Sequence, residues 1–412
     1  EILRCLVGSE MCIRDRGKIM TDVKNLKVYI IAGEPSGDLL GSRFMRAMVK
    51  KTNGQVEFYG VGGESMEKAG LKSLFDISDL AIMGLAEVIP SIPKVLRLIK
   101  QTVADIEKVK PDVVITIDSW SFGSRVQKIL RRKKLGIPQV HYVAPQVWAW
   151  KKKRARTMYK YVDHLLTLLP QEPKYFTPYG LAATFVGHPV IESKVIHGSG
   201  DDFRKKFAIP ADKKIIAVLP GSRKTEVAKM LPVFLEAAQK LYLEDNSLCF
   251  VIPTVKTVAG MVRQMVGGSG LPITIVEDED DRHNAFKASA AAMAASGTVA
   301  LELAIAGVPH IIGYKVSPLT AVLVRKFMHI QFVNLSNIML GREVVPELLQ
   351  EQCVPGNICR YIKRFLAKDD IFERQTEGFQ KVREILGLGE QTPSENACDA
   401  VLKLIEEKKQ TR

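Results

Sequence analysis

The sequence predicts an α/β protein of two consecutive β/α units, each built around a parallel sheet buried on both faces. Three observations predict it. Short apolar runs without polar alternation recur along the chain, separated by segments of helical character. Most of these runs end in glycine, proline or acidic residues, the composition of a strand-to-helix turn. The pattern also starts twice, with the polar, glycine-containing stretch SKVIHGSGDD (193–202) between the two series.

In the first series KVYIIA (27–32) reads as a buried strand, followed by a loop and a helix from about Leu39 to Lys51. FYGVGG (58–63), PDVVITID (111–118), QVHYV (139–143), HLLTLL (164–169) and TFV (184–186) are the further strand candidates, with a helix at about 122–134. The second series opens with KIIAVL (214–219) and continues with CFVI (249–252), ITIV (273–276) and PHIIGYK (309–315). An alanine-rich stretch (288–295) leads into Ser296-Gly297-Thr298 and a helix at about 299–306. The chain from about 355 onward is helical and charged. The expected organisation is a first Rossmann-like unit over 21–195, a second over 196–370, and C-terminal helices over 371–412 that pack back toward the first. Residues 1–20 begin with Glu and match nothing that follows, so they are expected to be a non-native extension, with Met20 as the natural start.

Composition narrows the function. The chain has 412 residues, 46% hydrophobic and 25% charged, as in a globular protein. No apolar run reaches the roughly 18 residues of a membrane span. Lys and Arg outnumber Asp and Glu by 59 to 45, a formal charge of +14, which suits nucleic acid, nucleotide substrates or an acidic membrane surface. The six cysteines form no C-x-x-C pair and read as reduced thiols. His141, His188 and His310 are scattered without H-x-x-x-H or H-E-x-x-H spacing, so no metal site is expected. Walker A, G-x-G-x-x-G and G-x-S-x-G patterns are absent.

Ligands of parallel α/β units bind beyond the carboxyl ends of the strands, so the chemistry belongs where the two sets of loops meet across a cleft. Asp118 ends an apolar strand and is a general-base candidate; it could equally cap the next helix. The loop of Gly221, Ser222 and Arg223, between a strand and a helix start, is the best anion site by chemistry. Ser296, Gly297 and Thr298 form a second such loop, with Glu302 placed one turn on to accept from ribose hydroxyls. Each could also be a plain turn and cap. In AGEPSGD (32–38), Gly33 and Gly37 allow close backbone approach, and Glu34, Ser36 and Asp38 could contact a sugar or cap a helix. Pro35 removes one N–H and speaks against a phosphate cradle. LAIMGLAEVIPSIPKVLRLI (80–99) is very apolar with Lys94, Arg97 and Lys100 nearby; it reads as core, or as an acyl-chain and membrane surface. KKKRARTMYKY (151–161) is the strongest basic run, a solvated face or a site for phosphate or anionic lipid.

Taken together, AGEPSGD (32–38), HYVAPQVWAWKKKRA (141–155), LLPQEPKYF (168–176), GHP (187–189), LPGSRKTEV (219–227), SGTVALELAIAGVP (296–309) and VNLSNIMLGREVVPELLQ (333–350) resemble the lipid-A-disaccharide synthase family, glycosyltransferases of the GT-B fold. The resemblance implies two Rossmann-like domains facing across a cleft. It implies an inverting transfer from UDP-2,3-diacylglucosamine to 2,3-diacylglucosamine 1-phosphate, without metal or cofactor, giving a β-1,6-linked disaccharide 1-phosphate and UDP. It implies Asp118 as the catalytic aspartate and Gly221, Ser222, Arg223, Ser296, Gly297, Thr298, Glu302 and Asn337 on the donor side. Gly33, Glu34, Ser36, Gly37 and Asp38 would line the acceptor side of the cleft. Met83, Leu85, Val88, Ile89 and Ile92 would contact acyl chains or membrane. A peripheral place on the anionic cytoplasmic face of a Gram-negative inner membrane follows, and a homodimer is allowed. One motif departs: the family usually reads Asp-x-Pro-Asp-Phe, and this chain has Asp118-Ser-Trp-Ser-Phe122. The rival reading within the fold is another UDP-sugar enzyme such as a UDP-N-acetylglucosamine 2-epimerase. A nucleic-acid-binding protein is the rival from another class, and no nucleic-acid motif supports it.

Overall fold

The computed structural model describes residues 26–80, 85–147, 152–295, 297–316, 331–387 and 391–410, with backbone alone at 85–92 and 152. β1 (Leu26–Ala32), β2 (Val56–Val61), β3 (Val113–Ile117), β4 (Gln139–Tyr142), β5 (His164–Thr167) and β6 (Ala182–Phe185) form one sheet in the order β2-β1-β3-β4-β5-β6. β7 (Lys214–Leu219), β8 (Leu248–Pro253), β9 (Ile273–Val276), β10 (Ser289–Ala295), β11 (His310–Tyr314) and β12 (Glu347–Leu349) form the second, in the order β12-β11-β10-β7-β8-β9. Every ladder is parallel. The central strands are buried on both faces, which is why they read as unbroken apolar runs.

Three elements differ from the sequence expectation. The first helix spans Pro35–Lys51 and begins four residues earlier, taking in Pro35, Ser36, Gly37 and Asp38. Proline suits a first helical turn, where its missing N–H has no partner to lose. The alanine-rich segment is strand β10, despite alanine's weak strand preference, because it pairs with both β7 and β11 in the sheet centre. β12 is too short to have stood out.

Helix Asp370–Ile385 stays with the second sheet. Gln375 there accepts from the His310 N–H at 2.6 Å and donates to the His310 and Val344 carbonyls. The return crossing comes later than residue 371, and helix Pro393–Gln410 packs Ala397, Cys398, Val401 and Ile405 into the core with Phe44 and Met48. The outgoing and returning segments are fastened together. Asn396 Nδ2 donates to the Val186 carbonyl at 3.1 Å, and Glu192 accepts from Ser394 N–H and Oγ at 2.7 and 2.9 Å. Among the described residues no helix is long and apolar enough to cross a membrane.

Candidate active site

The first wall of the cleft is the carboxyl edge of β1 and β3. Asp118 leaves β3 with φ of +51° and Ser119 follows at +29°, two successive non-glycine residues in the left-handed region. Such conformations cost free energy and cluster where function requires them. The Asp118 N–H is tied to the Tyr142 carbonyl at 2.9 Å, and Ser36 Oγ donates to Asp118 Oδ2 at 3.4 Å. Gly33 lies against this turn: a Cβ there would stand 2.5 Å from Ser119 Oγ and 2.9 Å from its Cβ. Gly37 packs the helix start against the Ile117 carbonyl.

Glu34 is exposed beside Asp118. Partial burial, then the Asp118 charge, push its pKa up, while Arg223 pulls it down. Asp38 points at the backbone after β2. It is 5% exposed, and its carboxylate accepts the N–H groups of Gly63, Ser65 and Met66 at 2.7, 2.9 and 3.0 Å. It therefore caps helix Glu64–Lys68 and fixes the β2 turn, with its oxygens already engaged.

The opposite wall is a cavity of about 310 Å³ lined by the 221–223 loop, Thr254, Arg282, Gly297, Thr298 and Glu302. Gly221 has φ of +111°, and a Cβ there would collide with Glu226 at 2.6 Å. Glu226 Oε2 accepts the N–H groups of Ser222 (3.2 Å) and Arg223 (3.3 Å), and its Oε1 accepts from Arg223 Nη1 at 2.7 Å. A carboxylate thus already occupies the donors that would receive a phosphate oxygen. Glu302 keeps 15% of its side chain exposed and lies 3.4 Å from Arg282 Nη2. Burial raises its pKa, and Arg282 opposes the shift. Arg282 and Thr254 carry no motif that would have marked them in the sequence.

Asn337 lies in the chain that precedes β12. It is fully buried; its Nδ2 donates to the Val345 carbonyl and Glu347 Oε1, both at 2.8 Å. Its Oδ1 accepts from Val344 and Val345 N–H at 2.7 and 2.9 Å. With its amide oxygen and nitrogen both engaged, it shapes the 344–347 segment. Ser296 and Met83 lie outside the described residues, as do the side chains of Leu85, Val88, Ile89 and Ile92.

Glu226 chiefly raises the Arg223 pKa and burial chiefly raises that of Glu34, and each of the two also feels the other's charge. The family model of lipid-A-disaccharide synthetase matches residues 28–401. The chain is 46% identical over 387 residues to the lipid-A-disaccharide synthase of Paramagnetospirillum magneticum, covering 93% of this chain and 99% of that one.

The chain belongs to the lipid-A-disaccharide synthetase family.

The synthase of Rhodospirillum centenum is likewise 46% identical, over 93% of this chain and 96% of its own length. Membership makes the chain a hexosyltransferase that forms the lipid A disaccharide. Solved structures share the GT-B fold at low identity. UDP-GlcNAc 2-epimerase from Neisseria meningitidis, bound to UDP-GlcNAc, superposes with a TM-score of 0.58 at 13% identity, over 93% of this chain and 100% of that one. MurG from Acinetobacter baumannii gives 0.54 at 16% identity, over 93% and 99%. At these identities the likeness concerns fold, so the epimerase reading has no support beyond it.

The family resemblance also gives the Asp118 motif its context. Trp120 stands where proline is usual and starts helix Trp120–Arg132. Its ring meets His141 edge-on at 5.1 Å and Tyr161 at 6.2 Å. His141 is buried with Nδ1 2.6 Å from Thr116 Oγ1, and burial pushes its pKa down to about 3, so it stays neutral.

Proposed function

We propose that the cleft transfers 2,3-diacylglucosamine from UDP to the 6-hydroxyl of 2,3-diacylglucosamine 1-phosphate, with Asp118 as the base. The observation that carries this is the opposition of two features: a carboxylate held off the end of β3 by a left-handed turn, and a loop whose N–H groups already hold a carboxylate. As the acceptor oxygen attacks C1, its proton passes to Asp118 and the C1–O bond breaks on the opposite face, inverting the centre. The bonding pair leaves on the diphosphate oxygen. Arg223 and the Gly297–Thr298 helix start balance that charge, and Glu302 accepts from ribose hydroxyls. Glu226 must release Arg223 and the loop N–H groups when diphosphate enters.

The substrates carry acyl chains, so the enzyme works at the anionic inner surface of the membrane. Support lies on helix Leu85–Val109, where Leu96 is 49% exposed among exposed Lys94, Arg97 and Lys100. Incubating the protein with both lipid substrates should give UDP and the tetra-acyl disaccharide phosphate by mass spectrometry. A donor without acyl chains should serve poorly. Equal use of it, or C2 inversion without transfer, would favour the epimerase reading.

A further inference from the structure

The transfer chemistry leaves the basic run 151–161 unused, and Arg154 within it has an unusual place. Its guanidinium lies 5.6 Å from the centroid of the Trp120 ring, and the residue is partly buried. Among the described residues no carboxylate pairs with it, whereas Arg131 pairs with Asp163, Arg223 with Glu226 and Arg282 with Glu302. Trp120 is a fixed platform, wedged between His141 and Tyr161. It follows Asp118 by two residues on the carboxyl edge of the first sheet. The helix it begins has no side-chain cap and no acid in its first turn, because Ser121 stands where the family motif has Asp. A guanidinium without a carboxylate partner, beside a helix start without a side-chain cap, is what a phosphate dianion requires.

We propose that Arg154, held on Trp120, receives the 1-phosphate of the acceptor while the acceptor's 6-hydroxyl is presented to Asp118. This rests on the reading of the cleft given above. The acceptor carries these two groups at opposite ends of one pyranose ring. With the hydroxyl at Asp118, the phosphate lies across one sugar ring from it, and Trp120, two residues after Asp118, carries Arg154 beside it. Contact with the indole uses no hydrogen bond, so the guanidinium N–H groups stay free to fork onto phosphate oxygens. It also keeps the cation from collapsing onto the Asp118 carboxylate.

The test compares the full chain with Arg154→Gln and Arg154→Lys in neutral detergent micelles, using acceptor with and without its 1-phosphate. Arg154→Gln should raise KM for the phosphorylated acceptor about tenfold to a hundredfold. It should leave the donor KM and the use of the dephosphorylated acceptor unchanged, and Arg154→Lys should recover part of the loss. The proposal is overturned if Arg154→Gln keeps the wild-type preference for phosphate, or weakens both acceptors equally. It is also overturned if the variant loses only its binding to vesicles of phosphatidylglycerol, which would make Arg154 a membrane contact. Calorimetric titration with glucosamine 1-phosphate decides the point without turnover: Arg154→Gln should bind it about tenfold more weakly than wild type, and equal binding overturns the assignment. If the wild type binds that sugar phosphate through Arg154 yet forms no disaccharide, the reading of the cleft fails and the phosphate seat stands. Matching circular-dichroism melts confirm that the variants fold.

Discussion

A Cβ on Gly33 would stand 2.5 Å from Ser119 Oγ, so the turn after β1 and the turn after β3 interlock with no room for a methyl group. The second of these turns holds Asp118. Gly33→Ala should therefore displace Asp118 while changing little else. Turnover should fall about tenfold to a hundredfold, the scale of a misplaced reacting group. The melting temperature should change by only a few degrees. Adding Ser119→Gly removes the obstructing side chain and suits the left-handed φ, so the double variant should recover activity. Steady-state kinetics on the three variants checks this.

Arg223 is exposed, and among the described residues its side chain pairs with Glu226 alone, so Arg223→Met should fold normally. Loss of a charge-assisted fork on the diphosphate should weaken UDP binding by about 1.5–3 kcal/mol, or roughly tenfold to a hundredfold. UDP inhibition constants measure this directly. Unchanged inhibition would place the diphosphate elsewhere.

Asn337 should behave as a structural residue. Asn337→Ala leaves the Val344 and Val345 N–H groups without their acceptor and removes a donor from the Val345 carbonyl and Glu347, and should destabilise the fold by about 2–4 kcal/mol. A urea melt reads the loss. An unchanged midpoint together with a raised donor KM would restore it to the binding site.

Much of the fold was legible because its signals are local. Runs such as KVYIIA and KIIAVL are sheet-centre strands, and each glycine loop that follows one lies at the cleft edge. What stayed hidden depends on partners distant in sequence. Asp38 bonds the chain at 63–66, Asn337 turns inward onto 344–347, and Arg154 finds Trp120 only after folding. Beyond its family motif, nothing in Asn337's own neighbourhood tells a ligand contact from a buried brace, since both roles use the same amide.

Three histidines make stability depend on pH. Burial lowers the pKa of His141 to about 3 and of His188 and His310 to about 4, from an ordinary 6.5. The unfolded chain binds protons that the fold refuses, so the contribution of these histidines falls as pH drops from about 6.5 toward 4 and is constant above that window. The slope is about 1.4 kcal/mol per pH unit for each histidine. Glu302, with its raised pKa, works in the opposite direction as it takes up a proton. Urea midpoints at pH 7.5, 6 and 5 should fall in that order; a constant or rising midpoint would contradict the burial of these rings.

Asp118→Asn tests the assigned base most directly, because it keeps the shape of the side chain and removes its basicity. Disaccharide formation measured by mass spectrometry, with both lipid substrates saturating, should fall by about two to four orders of magnitude while UDP still binds. Turnover near that of the wild type would contradict the assignment of Asp118 as the base.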